Sequence, residues 1–556
     1  MKTKSSKTGI IIKILWILAV LVSIKTIFTD FGGDNAYSMA MSYRHITGDR
    51  MFLEMWEPHQ TSIFLTDILM WVYGLVVPSF TGVAVYLQVC GTLFFALIAV
   101  FLFKEIKALS GNTAAHLATI FFLIFRAKQT VFPEFSNVSL GFSVIMFLLL
   151  WRYLEREGKT VHLVLAALAL CLEALAYPSC ILSVIPAVII IAVYSRRKLK
   201  DIVIFLLTCA VVGASYVGFF VFRIGPARFL ECLKAIVNSD SHANTTFVGG
   251  FGMYRGVVIA LAWIAASLLI SFIIRLLFKR KDENESGFLE IFGIVFFATG
   301  AIMLLLQKKT GIDWTCSIYI IPTLLCVMCL SKIKKLSDGG RRFFVMGVLI
   351  SLSSALGAML LTDLGYITSL AFLTLAGTVA FVMVDEADIK GIAGVSLILA
   401  AVLFSRGLVV WGYSNSTGGI FVTDLQNYVR NGSTKWLLTD HMTCYMTRDN
   451  GRDIAENVSK DDKTLLVEGW LFDSSVFMLL PGEISNLSVI DTPYYNEEVP
   501  HYFEVNPDKM PTMVMVRCWF GQMGIDEESE IMRWVNSHYE PAAEGSYYRF
   551  YIRKAE

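Results

Sequence analysis

The chain has 556 residues, of which 55% are hydrophobic and only 17% charged, and its mean hydropathy is +0.61. Soluble domains carry about 25% charged residues, so this composition places most of the chain in lipid. The net charge of +1 leaves no large basic surface and gives no case for a nucleic-acid partner.

Apolar runs on the scale of a bilayer crossing fall at roughly 9–29, 81–103, 113–131, 136–153, 161–177, 180–194, 202–222, 254–278, 288–306, 315–330, 343–362, 366–384 and 391–410. That predicts about thirteen transmembrane helices in a mainly α membrane domain over residues 1–410. Excess Lys and Arg sets the orientation. With the N-terminus cytoplasmic, one side holds Lys2, Lys4, Lys7, Lys104, Lys107, Arg152, Arg156, Lys159, the run Arg196–Lys200, Lys279–Lys281, Lys332–Lys335, Arg341, Arg342 and Lys390. The first apolar run, preceded by lysines, then reads as an uncleaved signal anchor rather than a signal peptide.

Residues 30–80 form the first outer loop. Within it, 60–77 is apolar enough to resemble a span, but counting it as one would invert the loops that follow and put Arg196–Lys200 outside. It is therefore expected to lie in the membrane interface as an amphipathic helix anchored by Trp71 and Tyr73. From Asp34 to Thr47 the spacing of Ala36, Met39, Ala40 and Tyr43 predicts another helix.

From about 411 the charge rises and spanning runs cease. Thr464–Glu468, Leu487–Ile490, Thr512–Arg517 and Tyr547–Ile552 read as strands, and Phe421–Val429 and Asp526–Val535 as helices. A small extracytoplasmic α/β domain over 411–556 follows from that alternation. Ten cysteines are scattered through the chain. Cys326 and Cys329 sit in an apolar run as buried thiols, while Cys444 and Cys518 either pair or stay free.

With this topology, polar residues gather on one membrane face. Asp34 and Tyr37 lie just past the first span, followed by Arg44, Arg50, Glu54, Glu57 and His59. Arg126, Lys128 and Glu134 occupy the turn between the third and fourth spans, and Lys308, Lys309 and Tyr319 a later one. Charges at a membrane edge are costly and are read first as functional. This set suits glycosyl transfer from a lipid phosphate. A carboxylate takes the proton of an attacking hydroxyl, and cations or a metal ion offset charge on the departing phosphate. The plainer readings are a helix N-cap for Asp34, an ordinary turn acid for Glu134, snorkelling for the lysine pair and an interfacial aromatic for Tyr319. Arg126 pairing with Glu134 for structural reasons is the plain reading there.

The chain resembles the membrane glycosyltransferases of the C-type fold, a group that includes protein O-mannosyltransferases and lipid A aminoarabinose transferases. Asp34-Asn35-Ala36-Tyr37 is similar to that family's Asp-Glu-x-x-Tyr-like motif after the first span, with Asn35 where an acid is common. Glu134 stands where an acid is usual at the outer end of the third span. Tyr319-Ile320-Ile321-Pro322, after Lys308-Lys309, matches a Tyr-x-x-Pro run, whereas Tyr177 replaces a familiar Lys. The resemblance covers roughly residues 9–330 by layout. It implies an inverting transferase of the plasma membrane, of bacterial style. Such an enzyme moves a sugar from a polyprenyl-phosphate-linked donor to an envelope glycan, lipid or protein acceptor. Asp34 and Glu134 would be catalytic, with Tyr37, Arg50, Glu57, His59, Arg126, Lys308, Lys309 and Tyr319 binding donor phosphate or substrate. Asp34, Glu134 and His59 are the candidate ligands should a divalent metal, Mg or Mn, take part. Two other classes stay open: a lipid-linked glycan flippase, and a non-catalytic anchor whose outer domain binds cell-wall glycan or a protein. Trp470, Tyr494, Tyr495 and Trp519 of the outer domain read either as aromatics that stack at the site or as core.

Overall fold

The computed structural model describes residues 2–126, 129–238, 251–278, 285–310, 315–361, 369–410, 420–467, 474–490, 493–519 and 522–555. Among the described residues up to 361 there are thirteen α-helices, α1 to α13: Lys2–Thr29, Gly33–Thr47, Phe64–Gly74, Val83–Ile124, Phe135–Arg152, Thr160–Ala176, Val184–Tyr194, Lys198–Ile224, Pro226–Asn238, Phe251–Leu277, Glu285–Thr310, Ile321–Ser331 and Asp338–Leu361. Short helical pieces over 370–383 and the long helix Ile389–Leu408 complete the membrane domain.

Among the described residues, eight helices are long and apolar enough to cross a bilayer, and four shorter apolar ones lie between them. α4 counts twice. At Gly111 its backbone turns to φ +90°, a conformation that strains residues with a Cβ, and the chain folds back. Phe95 packs on Phe122 at 5.6 Å and Phe103 on His116 at 5.0 Å, so the two arms run antiparallel. The layout is that of a multi-pass membrane protein with the expected number of apolar segments.

α3 begins at Phe64 after a short 3-10 turn and has only 11 residues. At ~1.5 Å per residue that is about 16 Å, half a hydrocarbon core of about 30 Å. It exposes Ile68, Trp71 and Val72 and buries Thr66 and Met70, the one-sided pattern of an interfacial helix.

Among the described residues, the C-terminal part carries ten short strands. β1 (Val409–Val410) pairs with β2 (Ile420–Phe421), and β3 (Asn427–Tyr428) with β4 (Leu438–Thr439). The main sheet is built from β5 (Lys463–Val467), β6 (Glu483–Ile484), β7 (Met513–Trp519), β8 (Gln522–Met523), β9 (Tyr539–Glu544) and β10 (Tyr548–Arg553). Its order is β6-β5-β7-β10-β9, with β5 parallel to β6 and β7 and the remaining pairs antiparallel. Helices His441–Asn457, Pro493–Val505 and Glu530–His538 accompany it. β5, β7 and β10 match expected strands. Leu487–Ile490 is not a strand, because its backbone is drawn off to the first loop of the membrane domain. Phe421–Val429 is not a helix: it is divided among β2, a 3-10 turn and β3. Cys444 and Cys518 form no disulfide.

The domain is bolted to the loop that follows α2. Trp56 N–H donates to the Leu487 carbonyl (2.8 Å), and Arg44 reaches the Asn486 carbonyl (2.5 Å). Ser488 Oγ and the Val489 N–H both donate to Glu57 (2.7 and 2.6 Å). Lys509 joins Asp49, and Tyr502 donates to the Glu54 carbonyl. Arg44, Glu57, Asp49 and Lys509 are all buried here. Each charge has a partner, without which burial would cost several kcal/mol.

Candidate functional site

The face of the membrane domain that carries the C-terminal domain gathers the end of α1, the start of α2, loop 125–134 and the ends of α6 and Ile389–Leu408. Residues 129–134 are held by a side chain of α5. Asn137 Nδ2 donates to the Thr130 and Phe132 carbonyls at 3.2 and 2.9 Å. The Val131 carbonyl lies against Gly91, where a Cβ would come within 1.9 Å of it. Only glycine allows that approach, and it fixes the loop over the first arm of α4.

Asp34 sits half-buried in the first turn of α2. It is not the cap: Gly32 takes that position with no side-chain bond. Asn35, the departure from the acidic pattern, is buried and donates to the Asp30 carbonyl at 3.4 Å. Phe31 packs on Phe132 at 5.9 Å, and Tyr37 on Phe135 at 6.5 Å. The start of α2 and loop 125–134 therefore form one surface.

Glu134 is buried and caps α5, accepting from the Ser136 and Asn137 N–H groups at 2.8 and 2.9 Å. His59 is stacked on Phe135 (4.1 Å) and Tyr177 (5.6 Å), with Tyr37 edge-on at 6.3 Å. Tyr177, standing where a lysine is familiar, thus belongs to an aromatic stack that continues to Phe372. Asp34, Glu134 and His59 do not converge: among the described residues no three His, Cys, Asp or Glu side chains assemble as metal ligands. A metal held by those three does not fit.

Glu57 is engaged by Arg44, Ser488 and Val489 at the interdomain seam. Burial raises its carboxyl above the ordinary range, against the opposing pull of Arg44. Arg50 is exposed and paired with Glu54. Lys309 is exposed at the end of α11, and the Lys308 side chain lies outside the described residues. Tyr319 is buried edge-on to Phe125 at 6.0 Å. Of the C-terminal aromatics, Tyr495 is core, while Trp470 and the side chains of Tyr494 and Trp519 lie outside the described residues.

Arg126 differs from all of these. It is only 2% exposed, its guanidinium lies over the Phe95 ring at 4.1 Å, and no group among the described residues accepts from Nε or Nη1. It makes no ion pair with Glu134. Burial first, and then the charge of Arg406, lower it to about 9, so it stays charged at neutral pH. Nearby, Asp30 holds Lys25 at 2.6 Å and Arg406 at 3.2 Å, and Arg406 Nε also has no acceptor. Two cations thus share the Asp30 carboxylate, and the charge of Arg126 acts on Arg406 beside them. Lys25, Asp30 and Arg406 were not among the expected site residues, although a lysine and an arginine inside apolar runs are a visible signal.

No family model matches the sequence, and no curated protein matches it. Solved structures are similar to it at low identity. ArnT from Cupriavidus metallidurans in the apo state is 11% identical with a TM-score of 0.41, covering 98% of each chain. The same protein bound to undecaprenyl phosphate gives 11% and 0.42, covering 99% of this chain and 98% of that one. Archaeal oligosaccharyltransferase AglB from Archaeoglobus fulgidus, in complex with an inhibitory peptide and a dolichol-phosphate, gives 12% and 0.43, covering 92% of this chain and 70% of that one. At such values no residue role passes from them to this chain.

Proposed function

We propose that the protein is an inverting membrane glycosyltransferase that uses a polyprenyl-phosphate-linked sugar, with its active face extracytoplasmic and the acceptor an envelope glycan, lipid or protein. The observation that carries this reading is the excess of buried positive charge around Asp30, a few residues from Asp34. A guanidinium buried without an acceptor costs several kcal/mol. An anion that supplies oxygen acceptors offsets that cost, and phosphate suits the guanidinium fork.

In this reading the lipid-linked sugar phosphate lies against Arg126 and Arg406, with Lys25 adding charge. Asp34, half-exposed on the same surface, accepts the proton of the acceptor hydroxyl as its oxygen bonds to the anomeric carbon. The bond from that carbon to the phosphate oxygen breaks, and its electron pair leaves with polyprenyl phosphate, so the anomeric configuration inverts. The fixed cations stabilise charge as it grows on the leaving oxygen. His59, Phe135 and Tyr177 offer an apolar stack against which a sugar ring can be oriented. Glu134 acts by holding loop 125–134 in place, since its carboxylate is already given to the α5 N-terminus.

The test is turnover by the purified full chain in proteoliposomes with a polyprenyl-phosphate sugar, following release of polyprenyl phosphate. Release supports the reading. Binding with translocation but no release gives the site to a flippase, and binding of glycan with no lipid-phosphate dependence gives it to a non-catalytic anchor.

A further inference from the structure

The hairpin Asn427–Thr439 lies at the mouth of a membrane span. Its tip is hydrogen-bonded into the first turn of α4: Gly82 N–H donates to the Gly432 carbonyl and Ala84 N–H to the Ser433 carbonyl, both at 3.0 Å. These carbonyls satisfy helix-terminal donors that would otherwise need water. Leu437 is 1% exposed and packs with Phe31, Val83, Ala84 and Leu87. The hairpin is therefore part of the end of the span and shares its depth in the bilayer.

That depth follows from the sequence of α4. Val83–Phe103 carries no charge, and Lys104 is the first cation after it. At ~1.5 Å per residue the stretch covers about 31 Å, the thickness of a hydrocarbon core. Its first turn marks the boundary of that core, and the hairpin bonded to it occupies the headgroup layer.

The hairpin and the helix after it are exposed where they should meet that layer. Tyr428 and Trp436 are each 50% exposed, and Leu438, Met442 and Tyr445 are exposed beside them. Trp436 adopts φ +76°, which disfavours a bulky side chain, and its ring presses on Gly82, where a Cβ would come within 2.4 Å. Arg430 lies over the Tyr428 ring at 5.5 Å and Lys435 over Trp436 at 5.0 Å. Neither cation has an acidic partner among the described residues, whereas Arg448 over Tyr445 is paired with Asp449. Tyrosine and tryptophan favour the headgroup level, and unpaired cations there favour anionic lipid.

We infer that this hairpin is a lipid-binding anchor, with Tyr428, Trp436 and Leu438 in the headgroup layer and Arg430 and Lys435 on the head groups of anionic phospholipids. It would hold the C-terminal domain down on the bilayer beside α4. The inference is independent of the glycosyl-transfer reading, because it uses none of that site's residues.

The test uses the full chain with a photo-crosslinking phenylalanine analogue at position 436, and separately at 428, in nanodiscs of phosphatidylcholine and phosphatidylglycerol in equal amounts. The expected product is a phospholipid adduct at both positions, with phosphatidylglycerol labelled at least threefold over phosphatidylcholine. That preference should fall to parity when Arg430→Gln and Lys435→Gln are combined. Equal labelling of the two lipids in the parent chain overturns the anionic preference. Adducts only to a second copy of the chain, or no lipid adduct at either position, overturn the anchor.

Discussion

Arg406, near the end of the last span, donates to Asp30 across 3.2 Å, just past the end of the first span. Lys25 holds the other side of the same carboxylate, and Thr29 adds a hydroxyl at 2.9 Å. One acid thus joins the two ends of the membrane domain and leaves the surrounding charge positive. With Arg126 added, the imbalance supplies both a structural cost and a reason to bind an anion.

The two consequences separate in one variant. Arg126→Met removes a buried cation and fills its place with apolar volume, so the ligand-free protein should gain about 1–3 kcal/mol. Its thermal midpoint in detergent should rise, while its affinity for polyprenyl phosphate should fall at least tenfold. A lowered midpoint with unchanged lipid-phosphate binding would remove Arg126 from the site.

Asp34 makes a sharper case. If its carboxylate is the proton acceptor, Asp34→Asn should reduce sugar transfer in proteoliposomes by roughly 10²–10⁴-fold. The midpoint should scarcely move, because Gly32 rather than Asp34 caps α2. Transfer at the parent rate would sink its assignment as the base.

Glu57 should behave in the opposite way. Glu57→Ala takes one of two carboxylates from the fully buried Arg44, leaving it Asp49, and frees Ser488 and Val489. Loss of about 1–3 kcal/mol is expected, read as a lower midpoint and faster proteolysis of residues 420–555. A variant as stable as the parent would show that the domain docks without this seam.

A pH-dependent contact lies at the edge of the same seam. His501 Nε2 meets Glu231 of α9 at 2.8 Å, and Glu504 stands at 3.4 Å from Nδ1. Burial lowers the imidazole, but bonds to Glu231 and Glu504 and the charge of Glu498 outweigh it and raise the net value above 6.5. A raised folded value means the contribution is fully present below the unfolded value and lost as pH rises through the folded one. Hydrogen exchange of α9 and Pro493–Val505 should therefore speed up as the pH rises above about 6.5, the ordinary imidazole value. His501→Gln should abolish that dependence, and an unchanged profile in the variant would place the titration elsewhere.

How much of this was legible before folding differs by element. Apolar runs and flanking cations gave the spans, since bilayer thickness fixes run length. The short interfacial α3 was legible because a reversed set of basic loops excluded a span. Asp34 and Tyr37 were located by position after the first span, and Arg126 by its loop. Glu57 and Glu134 were visible as acids, but a string of residues does not show that one caps a helix and the other clasps a distant domain.

Sequence alone therefore determined the lipid-dissolved class, the approximate number of apolar segments and three of the main-sheet strands, because burial in lipid and in a sheet both act along contiguous residues. Tertiary structure decided which charges neutralise one another. Asp30 and Arg406 are 376 residues apart in the chain, and Glu57 and Ser488 are 431 apart. Electrostatic energy depends on distance and local dielectric, neither of which sequence separation records. Only in the folded chain does Arg126 prove to be a buried cation whose Nε and Nη1 find no acceptor among the described residues.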